Sequence, residues 1–422
     1  NSLKSLSIGI AGLGTVAQGV LTLLASNREL IEQRSGVSVN VVRVASRSAK
    51  PEVDLHGADF STDVMDLLSD PRIDVIVELI GGETLAKQLI VAALESGKGV
   101  VTANKAVIAL HGNELSRQRL RFEAAVAGAI PIIQALQYGL VANQFSALSG
   151  IINGTCNYML SAMESEGVDF DEILERAQTL GYAEADPSFD VDGIDAAHKL
   201  TILMALAFGS DFEFDKVYVE GIRAITPKDI SYATELGYRI KHLGILRSTA
   251  DGIEARVHPT LVAQSELVAH VNGVLNAVQV ESDAAGKTLF SGPGAGGAAT
   301  ASAVVADIIA TALHPEQTGG GSGSSQSIPI QPIEKISSAY YLRIPTRDEP
   351  GVFAEVTQIL SSHNINLDAV IQKDSHGQGG SVDIVILTED IQEAQMNEAL
   401  AQLEALATVT APVMRIRVAP QD

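Results

Sequence analysis

A glycine turn between an apolar strand and a helix is the feature that most constrains how this chain can fold. Residues 6–14 form an apolar run that ends in glycine, and apolar residues over 16–31 recur at helical spacing. The turn reads Gly12-Leu13-Gly14-Thr15-Val16-Ala17 and matches G-x-G-x-x-G/A. In this motif the first glycine permits a tight turn, the second lets a pyrophosphate approach the backbone, and the last small residue lets helix and strand pack closely. The sequence therefore predicts that a dinucleotide binds at the turn, on the helix N-terminus.

The alternation of strand and helix continues through the first part of the chain. Segments that predict strands are 38–46, 73–82 and 97–105, and helix-like segments are 65–70 and 85–96. This β-α-β alternation indicates an α/β fold with a Rossmann-type, doubly wound parallel sheet.

From about residue 131 the pattern changes to α+β. It contains an acidic loop and an apolar helix at 194–208, followed by strand-like segments over 232–280. Residues 292–313 read as a glycine loop and a helix, which could return to the first domain. The Gly/Ser run at 318–327 is typical of a flexible tether, and the segments after it follow the β-α-β-β-α-β order of a ferredoxin-like domain.

Composition narrows the classes of function. The formal net charge of −22 repels phosphate backbones and argues against nucleic-acid binding. No apolar run reaches the ~18 residues that a membrane span needs. Cys156 is the only cysteine, so no intrachain disulfide can form and a cytoplasmic location is expected. These features favour a soluble protein without nucleic-acid or membrane partners.

The end of the second strand bears on the choice of dinucleotide. NAD-preferring sites usually place Asp or Glu there, against the ribose hydroxyls. Residues 44–48 read Val-Ala-Ser-Arg-Ser and hold no acid, and Arg47 could meet a 2′-phosphate. We therefore expect NADP preference or use of both dinucleotides. The alternative is that Arg47 is only solvated.

Lys105 is the first catalytic candidate. It follows an apolar strand at the edge where ligands of doubly wound sheets bind, and Gly81 and Gly82 end the preceding strand. A lysine placed there can donate hydrogen bonds to a carbonyl oxygen or exchange a proton with it. The alternative is an ordinary surface lysine.

A second candidate group lies in the acidic segment 181–199. Asp195 and Lys199 are four residues apart and share one helix face, at the start of a helix that is apolar nearly all round. A charged pair entering a buried helix is costly unless it is paired and useful. Carboxylates here can hold a substrate ammonium group and keep the lysine charged, or tune its proton transfer. The alternatives are a calcium-type loop or a solvated acidic face.

Six motifs in register resemble homoserine dehydrogenases over about residues 6–314. They are Gly-Leu-Gly-Thr-Val (12–16), Glu-Leu-Ile-Gly-Gly (78–82), Thr-Ala-Asn-Lys (102–105), Asn-Gly-Thr-Cys-Asn-Tyr (153–158), Gly-Tyr-Ala-Glu-Ala-Asp-Pro (181–187) and Asp-Val-Asp-Gly-Ile-Asp-Ala-Ala-His-Lys (190–199). One departure is Ala17, where many relatives have glycine, and the motif tolerates it.

The resemblance implies reversible oxidation of L-homoserine to L-aspartate 4-semialdehyde, in threonine and methionine biosynthesis. Lys199 and Lys105 would then transfer the proton or polarise the carbonyl. Glu184, Asp190 and Asp195 would bind the substrate. The residues implied to bind NADP or NAD are Gly12, Leu13, Gly14, Thr15, Val16, Arg47, Thr102, Lys105 and Gly294.

The family also carries a monovalent cation, expected here to be Na⁺. The resemblance places it at Glu123, Val126, Gly128 and Ile130, where backbone carbonyls and one carboxylate suit a hard cation. Without the resemblance, the same segment predicts an apolar strand.

The tail resembles an ACT domain, a small amino-acid-sensing module. The resemblance rests on residues 344–353 and on Asn364-Ile365-Asn366, and Asp348-x-Pro350-Gly351 makes a turn into a helix that can face a carboxylate. Such a tail on this family implies feedback control with L-threonine as the effector. The alternative is a tail that serves only oligomerisation, and a homodimer or homotetramer fits both.

The expected domains follow from these segments. They are a dinucleotide-binding domain at 1–134 to which 292–318 returns, a catalytic, substrate and dimerisation domain at 135–291, a Gly/Ser linker at 319–336 and an ACT regulatory domain at 337–422.

Two other functions are alternatives to this one. A non-catalytic regulator that senses a nucleotide and an amino acid would keep the glycine turn but could lose the two lysines. Aspartate-semialdehyde dehydrogenase chemistry needs a nucleophilic cysteine, and Cys156 lies in a motif that resembles the homoserine enzyme instead.

Overall fold

The computed structural model describes residues 3–316, 327–372 and 380–420. Residues 319–326 of the predicted linker lie outside this range. The rest of that segment is bound to the protein: the Ile253 N–H donates to the Pro329 carbonyl at 2.8 Å, and the Gln331 N–H donates to the Ile253 carbonyl at 2.8 Å.

The first layer is a sheet of six parallel strands in the order β3-β2-β1-β4-β5-β6. The strands are β1 (Lys4–Ala11), β2 (Val37–Ala45), β3 (Asp59–Ser61), β4 (Val75–Glu78), β5 (Gly99–Thr102) and β6 (Leu120–Arg121). Their central members are buried throughout and rich in Val and Ile, as in parallel sheets covered on both faces. The predicted α/β fold with a Rossmann-type parallel sheet is confirmed.

Helices cover both faces of this sheet. They are α1 (Thr15–Ser26), α2 (Arg28–Ser35), α3 (Asp66–Ser69), α4 (Thr84–Glu95) and α5 (Lys105–His111). A later helix, Gly297–Leu313, joins them, because its Val304 and Ile308 share one buried core with Val20 and Leu24 of α1. The chain thus returns to the first layer at this helix.

The rest of the chain builds a second, mixed sheet with its own helices. Its strands are β7 (Phe145–Ile151), β8 (Tyr218–Val219), β9 (Tyr238–Thr249), β10 (Gly252–Ala263), β11 (Leu275–Ser282), β12 (Gly286–Pro293), β14 (Tyr340–Arg347), β15 (Leu367–Gln372), β16 (Ser381–Thr388) and β18 (Met414–Val418), beside a separate pair, β13 (Ser337–Ser338) and β17 (Ile391–Gln392). The helices of this part are α6 (Ile132–Gln134), α7 (Gly154–Glu166), α8 (Phe170–Thr179), α9 (Ser188–Val191), α10 (Ile194–Phe208), α11 (Pro227–Glu235), α13 (Val352–Ser362) and α14 (Glu393–Glu404), and α12 (Gly297–Leu313) is the helix that joins the first layer. Short 3₁₀ or π turns occupy Glu123–Ala125, Ala135–Gly139, Phe214–Lys216, Leu267–His270 and Ile333–Lys335.

The C-terminal elements run β14-α13-β15-β16-α14-β18 and pair in the order β18-β14-β16-β15. This is the ferredoxin-like arrangement that the sequence predicted. The two glycine-free strands at its centre, β14 and β16, are antiparallel, with Ile344 opposite Ile384.

The C-terminal unit is not separate from the rest of the molecule. Strand β18 pairs in parallel with β10, with Thr260 opposite Arg417, so one sheet runs through both units. Asp229 of α11 is fully buried and accepts hydrogen bonds from the Tyr341 hydroxyl at 3.0 Å and from Arg343 Nε at 2.6 Å. The tether predicted from the Gly/Ser run therefore does not leave the tail loosely attached.

None of the helices in the described parts of the chain is long and apolar enough to cross a membrane.

The turn after β1 needs glycine at one position and not at the next. Gly12 has φ +108°, and a Cβ there would lie 2.6 Å from the Leu79 carbonyl oxygen. Gly14 has φ −79°, and no atom lies within 4 Å of where its Cβ would be. The requirement at Gly12 is thus backbone conformation and close packing, whereas Gly14 faces open space.

We predict that Gly12→Ala lowers the free energy of unfolding by about 2 kcal/mol or more, because it combines a left-handed backbone with a clash against backbone. Gly14→Ala, the matched control, should stay within about 1 kcal/mol of the parent. Urea unfolding of both variants checks this. Equal stability of the two variants would show that the turn is not strained by a side chain at Gly12.

Candidate active site

The candidate site lies at the carboxyl ends of β1, β4 and β5. Ala11, Glu78 and Thr102 end these strands side by side, in register. The chain order reverses between β1 and β4, and ligands of open α/β sheets bind in the crevice at such a switch point. The glycine turn after β1 and Lys105 after β5 therefore lie at the same edge of the sheet.

The glycine turn presents the start of α1 to this crevice. No described side chain caps the α1 N-terminus, and its first turn carries no acidic residue. The Gly12 N–H is fixed to the Ala45 carbonyl at 2.7 Å, and Ala17 is buried against the sheet. The free N–H groups and the positive end of the helix dipole suit a phosphate group.

A second glycine loop reaches the same turn from the far end of the chain. A Cβ at Gly297, the first residue of α12, would lie 2.9 Å from the Thr15 carbonyl oxygen. Gly294 packs on the side chain of Asn276, whose amide atoms are buried without a hydrogen-bond partner in the described structure. The start of α12 thus contacts the glycine turn at Thr15, while the candidate cofactor residue Gly294, three residues earlier, packs against Asn276 and Gly128.

Arg47 lies two residues beyond the end of β2 and is exposed. No ion pair joins it to another described residue, whereas the nearby Arg43 pairs with Asp70 at 3.3 Å. Its position at the end of the second strand agrees with the sequence analysis, and its guanidinium is available to an anion.

Three charged side chains meet beside this edge. Lys105 begins α5, and its Nζ lies 2.8 Å from Asp195 Oδ1. Lys199 Nζ lies 2.7 Å from Asp195 Oδ2 and donates to the Ile152 carbonyl at 2.8 Å. Helix α10 carries Asp195 and Lys199 one turn apart, so the predicted pair forms and Lys105 joins it.

Burial sets the electrostatics of this group. It disfavours ionisation of Asp195, but Lys199 and Lys105 outweigh it and lower the pKa of the Asp195 carboxyl. Burial also lowers the pKa of Lys199, partly offset by Asp195, while Lys105 lowers it further. A lysine with a lowered pKa can give and take a proton nearer to neutral pH.

Asn153 is a site residue to which the sequence analysis assigned no role. Its Nδ2 donates to Asp190 Oδ1 and to Asp195 Oδ2, both at 2.8 Å, and its Oδ1 accepts from the Cys156 N–H at 2.8 Å. It therefore caps α7 while joining two candidate substrate carboxylates. The Asn-Gly-Thr-Cys motif contains the signal, an N-cap residue before a helix, but not its distant partners.

The other residues in these motifs lie in different surroundings. Burial raises the pKa of Asp190, which lies beside the three charged groups through Asn153. Glu184 is exposed, and its carboxylate contacts none of the described residues by hydrogen bond or ion pair. Burial raises the pKa of the Cys156 thiol well above its ordinary value, which makes it a poor nucleophile. His198 lies between the rings of Phe189 and Phe214, and burial lowers its pKa. We therefore interpret it as a packed core residue.

The segment 123–130 is not the apolar strand that its composition predicted. Glu123 begins a 3₁₀ turn, and Ala127 and Gly128 have φ of +60° and +54°. The reason is the buried Glu123 carboxylate, which accepts the N–H groups of Ile133 at 2.9 Å and Gln134 at 2.8 Å and so bends the chain toward α6.

The same bend leaves oxygen atoms suited to a hard cation. No backbone N–H of the described residues donates to the carbonyls of Val126 or Gly128, while the Ile130 carbonyl accepts from Ile132 at 2.8 Å. Burial and the neighbouring Asp307 raise the pKa of Glu123 to about 8. Two buried carboxyl groups with unfavourable ionisation would be stabilised by a bound cation.

The arrangement can move a proton next to a dinucleotide edge. It provides two ammonium groups, carboxylates for a cationic substrate group and a helix N-terminus for a pyrophosphate. Hydride transfer between an alcohol and a nicotinamide needs such a proton acceptor and donor. The geometry therefore fits an oxidoreductase better than a sensor.

Known proteins share this organisation along the chain. A family model of homoserine dehydrogenase matches residues 131–309, a model of the homoserine dehydrogenase NAD-binding domain matches 12–130, and an ACT domain model matches 340–406. A homoserine dehydrogenase of Pseudomonas aeruginosa is 50% identical over 430 residues, covering 99% of this chain and 99% of the relative.

Solved structures agree with these matches. A homoserine dehydrogenase from Thiobacillus denitrificans superposes with a TM-score of 0.92 at 47% identity, covering 99% of this chain and 98% of the other. A hyperthermophilic archaeal homoserine dehydrogenase in complex with NADPH superposes with a TM-score of 0.60 at 25% identity, covering 73% of this chain and 98% of the other. The chain therefore belongs to the homoserine dehydrogenase family and is an NAD(P)-dependent oxidoreductase that acts on a CH–OH group.

Proposed function

We propose that this enzyme interconverts L-homoserine and L-aspartate 4-semialdehyde in threonine and methionine biosynthesis. The observation that carries the proposal is the group formed by Lys105, Asp195 and Lys199 beside the dinucleotide crevice. A sensing protein without catalysis would gain nothing from two lysines held on one buried carboxylate.

Each residue of the site has a proposed role. Lys199 accepts the hydroxyl proton during oxidation and returns it during reduction, and Lys105 donates to the carbonyl oxygen. Asp190 and Glu184 bind the substrate ammonium. Asp195 belongs to the substrate site and also fixes both lysines, since each of its oxygen atoms bonds one of them. The nicotinamide supplies and receives the hydride when it is bound.

For Lys199→Ala we predict a loss of kcat of about 10²-fold or more in both directions, the usual contribution of a general acid–base group. NADPH binding, followed by fluorescence, should survive. Lys335→Ala, an exposed lysine far along the chain, should keep parent activity. A kcat of Lys199→Ala within threefold of the parent would refute the role.

The pH dependence tests the same role. Homoserine oxidation needs Lys199 as a neutral amine, and its lowered pKa means that the oxidation rate rises with pH below the ordinary lysine value of 10.5. Semialdehyde reduction needs the ammonium form and should fall over the same interval. In the Lys199→Ala variant, both the rise of the oxidation rate with pH and the fall of the reduction rate should disappear.

We propose that the enzyme prefers NADP or uses both dinucleotides. The support is the exposed Arg47 at the end of β2, with no acid in the segment where NAD enzymes place one. The archaeal relative described above, which was solved with NADPH, is compatible with this preference.

Arg47→Ala should raise KM for NADPH by about tenfold or more, since a charge-assisted contact contributes about 1.5–3 kcal/mol. KM for NADH should change little, because NADH lacks the 2′-phosphate. Arg28→Ala, at the exposed start of α2, is the matched control. A parallel change for both dinucleotides would exclude contact with the 2′-phosphate.

A monovalent cation, expected to be Na⁺, is proposed at the bend after Glu123. The supporting features are the carbonyls of Val126 and Gly128, which no described backbone N–H occupies, and the buried carboxyl groups of Glu123 and Asp307. Ile130 and Glu123 would complete the ligand set.

We also predict that the enzyme is a homodimer or homotetramer and that its location is cytoplasmic.

We propose that the ACT domain binds L-threonine and lowers activity. A contiguous path supports an effect on the site. Arg417 of β18 donates to the Glu220 carboxylate at 2.9 Å. Two residues later, the Ile222 N–H donates to the Val191 carbonyl at 2.9 Å, next to Asp190.

Threonine should inhibit the parent enzyme, and Glu220→Gln should weaken that inhibition without preventing threonine binding, measured by calorimetry. The reason is that the variant weakens the charged contact with Arg417 but leaves the ACT domain intact. Glu334→Gln, an exposed position in the same part of the chain, serves as control. If threonine neither binds nor inhibits the parent, the effector is wrong.

A further inference from the structure

Glu78 is a buried acid at the centre of the crevice, and the roles above do not use it. It ends β4, has no exposed surface and lies between Ala11 and Thr102. Its Oε1 accepts the Ile80 N–H at 3.0 Å, and the Thr102 hydroxyl donates to Oε2. No Lys, Arg or His of the described residues forms an ion pair with it.

These contacts are part of a ring that consists of hydrogen bonds and the backbone turn between Ile80 and Gly82. The Asn104 N–H donates to Thr102 Oγ1 at 2.9 Å, and Asn104 Nδ2 donates to the Gly82 carbonyl at 2.6 Å. The turn from Gly82 back to Ile80 completes the ring at Glu78. Gly81 and Gly82 both have φ of +70°, so this turn has an unusual backbone that the ring holds in place.

The ring ends at a catalytic candidate. Asn104 caps α5, because its Oδ1 accepts the Val107 N–H at 3.1 Å, and Lys105 is the first residue of that helix. The start of α5, and with it the base of the Lys105 side chain, is therefore fixed by the ring. From this fixed helix start the Lys105 side chain extends to Asp195, and its Nζ lies 2.8 Å from Asp195 Oδ1.

A carboxylate in this position has an energetic cost. Burial disfavours the charged form and raises the pKa of Glu78, and an apolar side chain would avoid that penalty. What an apolar side chain cannot do is accept the Ile80 N–H and the Thr102 hydroxyl together. The acid is therefore explained by the geometry that it imposes.

We propose that Glu78 is a positioning residue for the Lys105 ammonium and acts through Thr102 and Asn104. The proposal rests on the role of Lys105 in the proposed function. A displacement of about 1 Å in a reacting group can lower a rate about 10²-fold, so loss of the ring should be visible in kcat.

The test is a double-mutant cycle in the full-length enzyme, measured at saturating NADPH so that cofactor affinity does not enter. Glu78→Gln keeps the size of the side chain but replaces one acceptor oxygen by an NH₂ group. We expect it to lower kcat for semialdehyde reduction about 10-fold to 10²-fold. In a Lys105→Ala background the same substitution should have less than a threefold effect, with slow turnover followed by NADPH absorbance.

A second pair of variants keeps the test decisive if Glu78→Gln folds poorly or Lys105→Ala has no measurable turnover. Thr102→Val is nearly isosteric and removes only the hydroxyl, and Thr102→Ser keeps it. Thr102→Val should lower kcat as Glu78→Gln does, and Thr102→Ser, which keeps the hydroxyl, should lose several-fold less kcat than Thr102→Val. Equal kcat for the two Thr102 variants would overturn the proposal.

The outcomes separate this inference from the function on which it rests. Parent-like kcat in Lys105→Ala would refute the role of Lys105 itself. An impaired Lys105→Ala combined with a full, additive loss from Glu78→Gln would leave that role standing and refute positioning by Glu78.

Discussion

The site depends on one buried carboxylate that holds two ammonium groups. Asp195 is 2% exposed and bonds Lys105 and Lys199 with separate oxygen atoms. A buried charge is tolerated only when it is paired, and here one acid is paired with two bases. The surplus positive charge makes it easier for a lysine to lose its proton. It also adds local positive charge near an anionic cofactor in a chain with a net charge of −22.

The arrangement joins two layers of the protein. Lys105 comes from the start of α5 in the first layer and Lys199 from α10 of the second. The proposed catalytic role of this group therefore needs both layers in one fixed relation. Asn153 extends the connection to Asp190 through a third element, α7. Each of these side chains is placed by the start of a helix or by a helix face, which are the rigid parts of the fold.

Local pattern was sufficient for much of this. The β-α-β alternation predicted the parallel sheet, the helix at 194–208 was predicted with the bounds that the structure gives, and the four-residue spacing predicted the Asp195–Lys199 pair. Contacts between distant segments were not predictable in this way. The Asn153 bridge, the packing of Gly294 on Asn276 and the junction of β18 with β10 all depend on tertiary packing. Segment 123–130 was misjudged because one buried acid, Glu123, overrides an otherwise apolar pattern.

The outer edge of β10 is covered piece by piece. Ile330 pairs beside Ile253, β8 beside Arg256 and Val257, and β18 beside Thr260 and Leu261. An uncovered edge of this length would offer unpaired N–H and C=O groups to another chain and promote aggregation. Strand β18 of the tail therefore covers part of an edge that would otherwise be open to another chain. Because β18 follows β10 in the chain, this part of the edge stays unpaired in a nascent chain until β18 has been made.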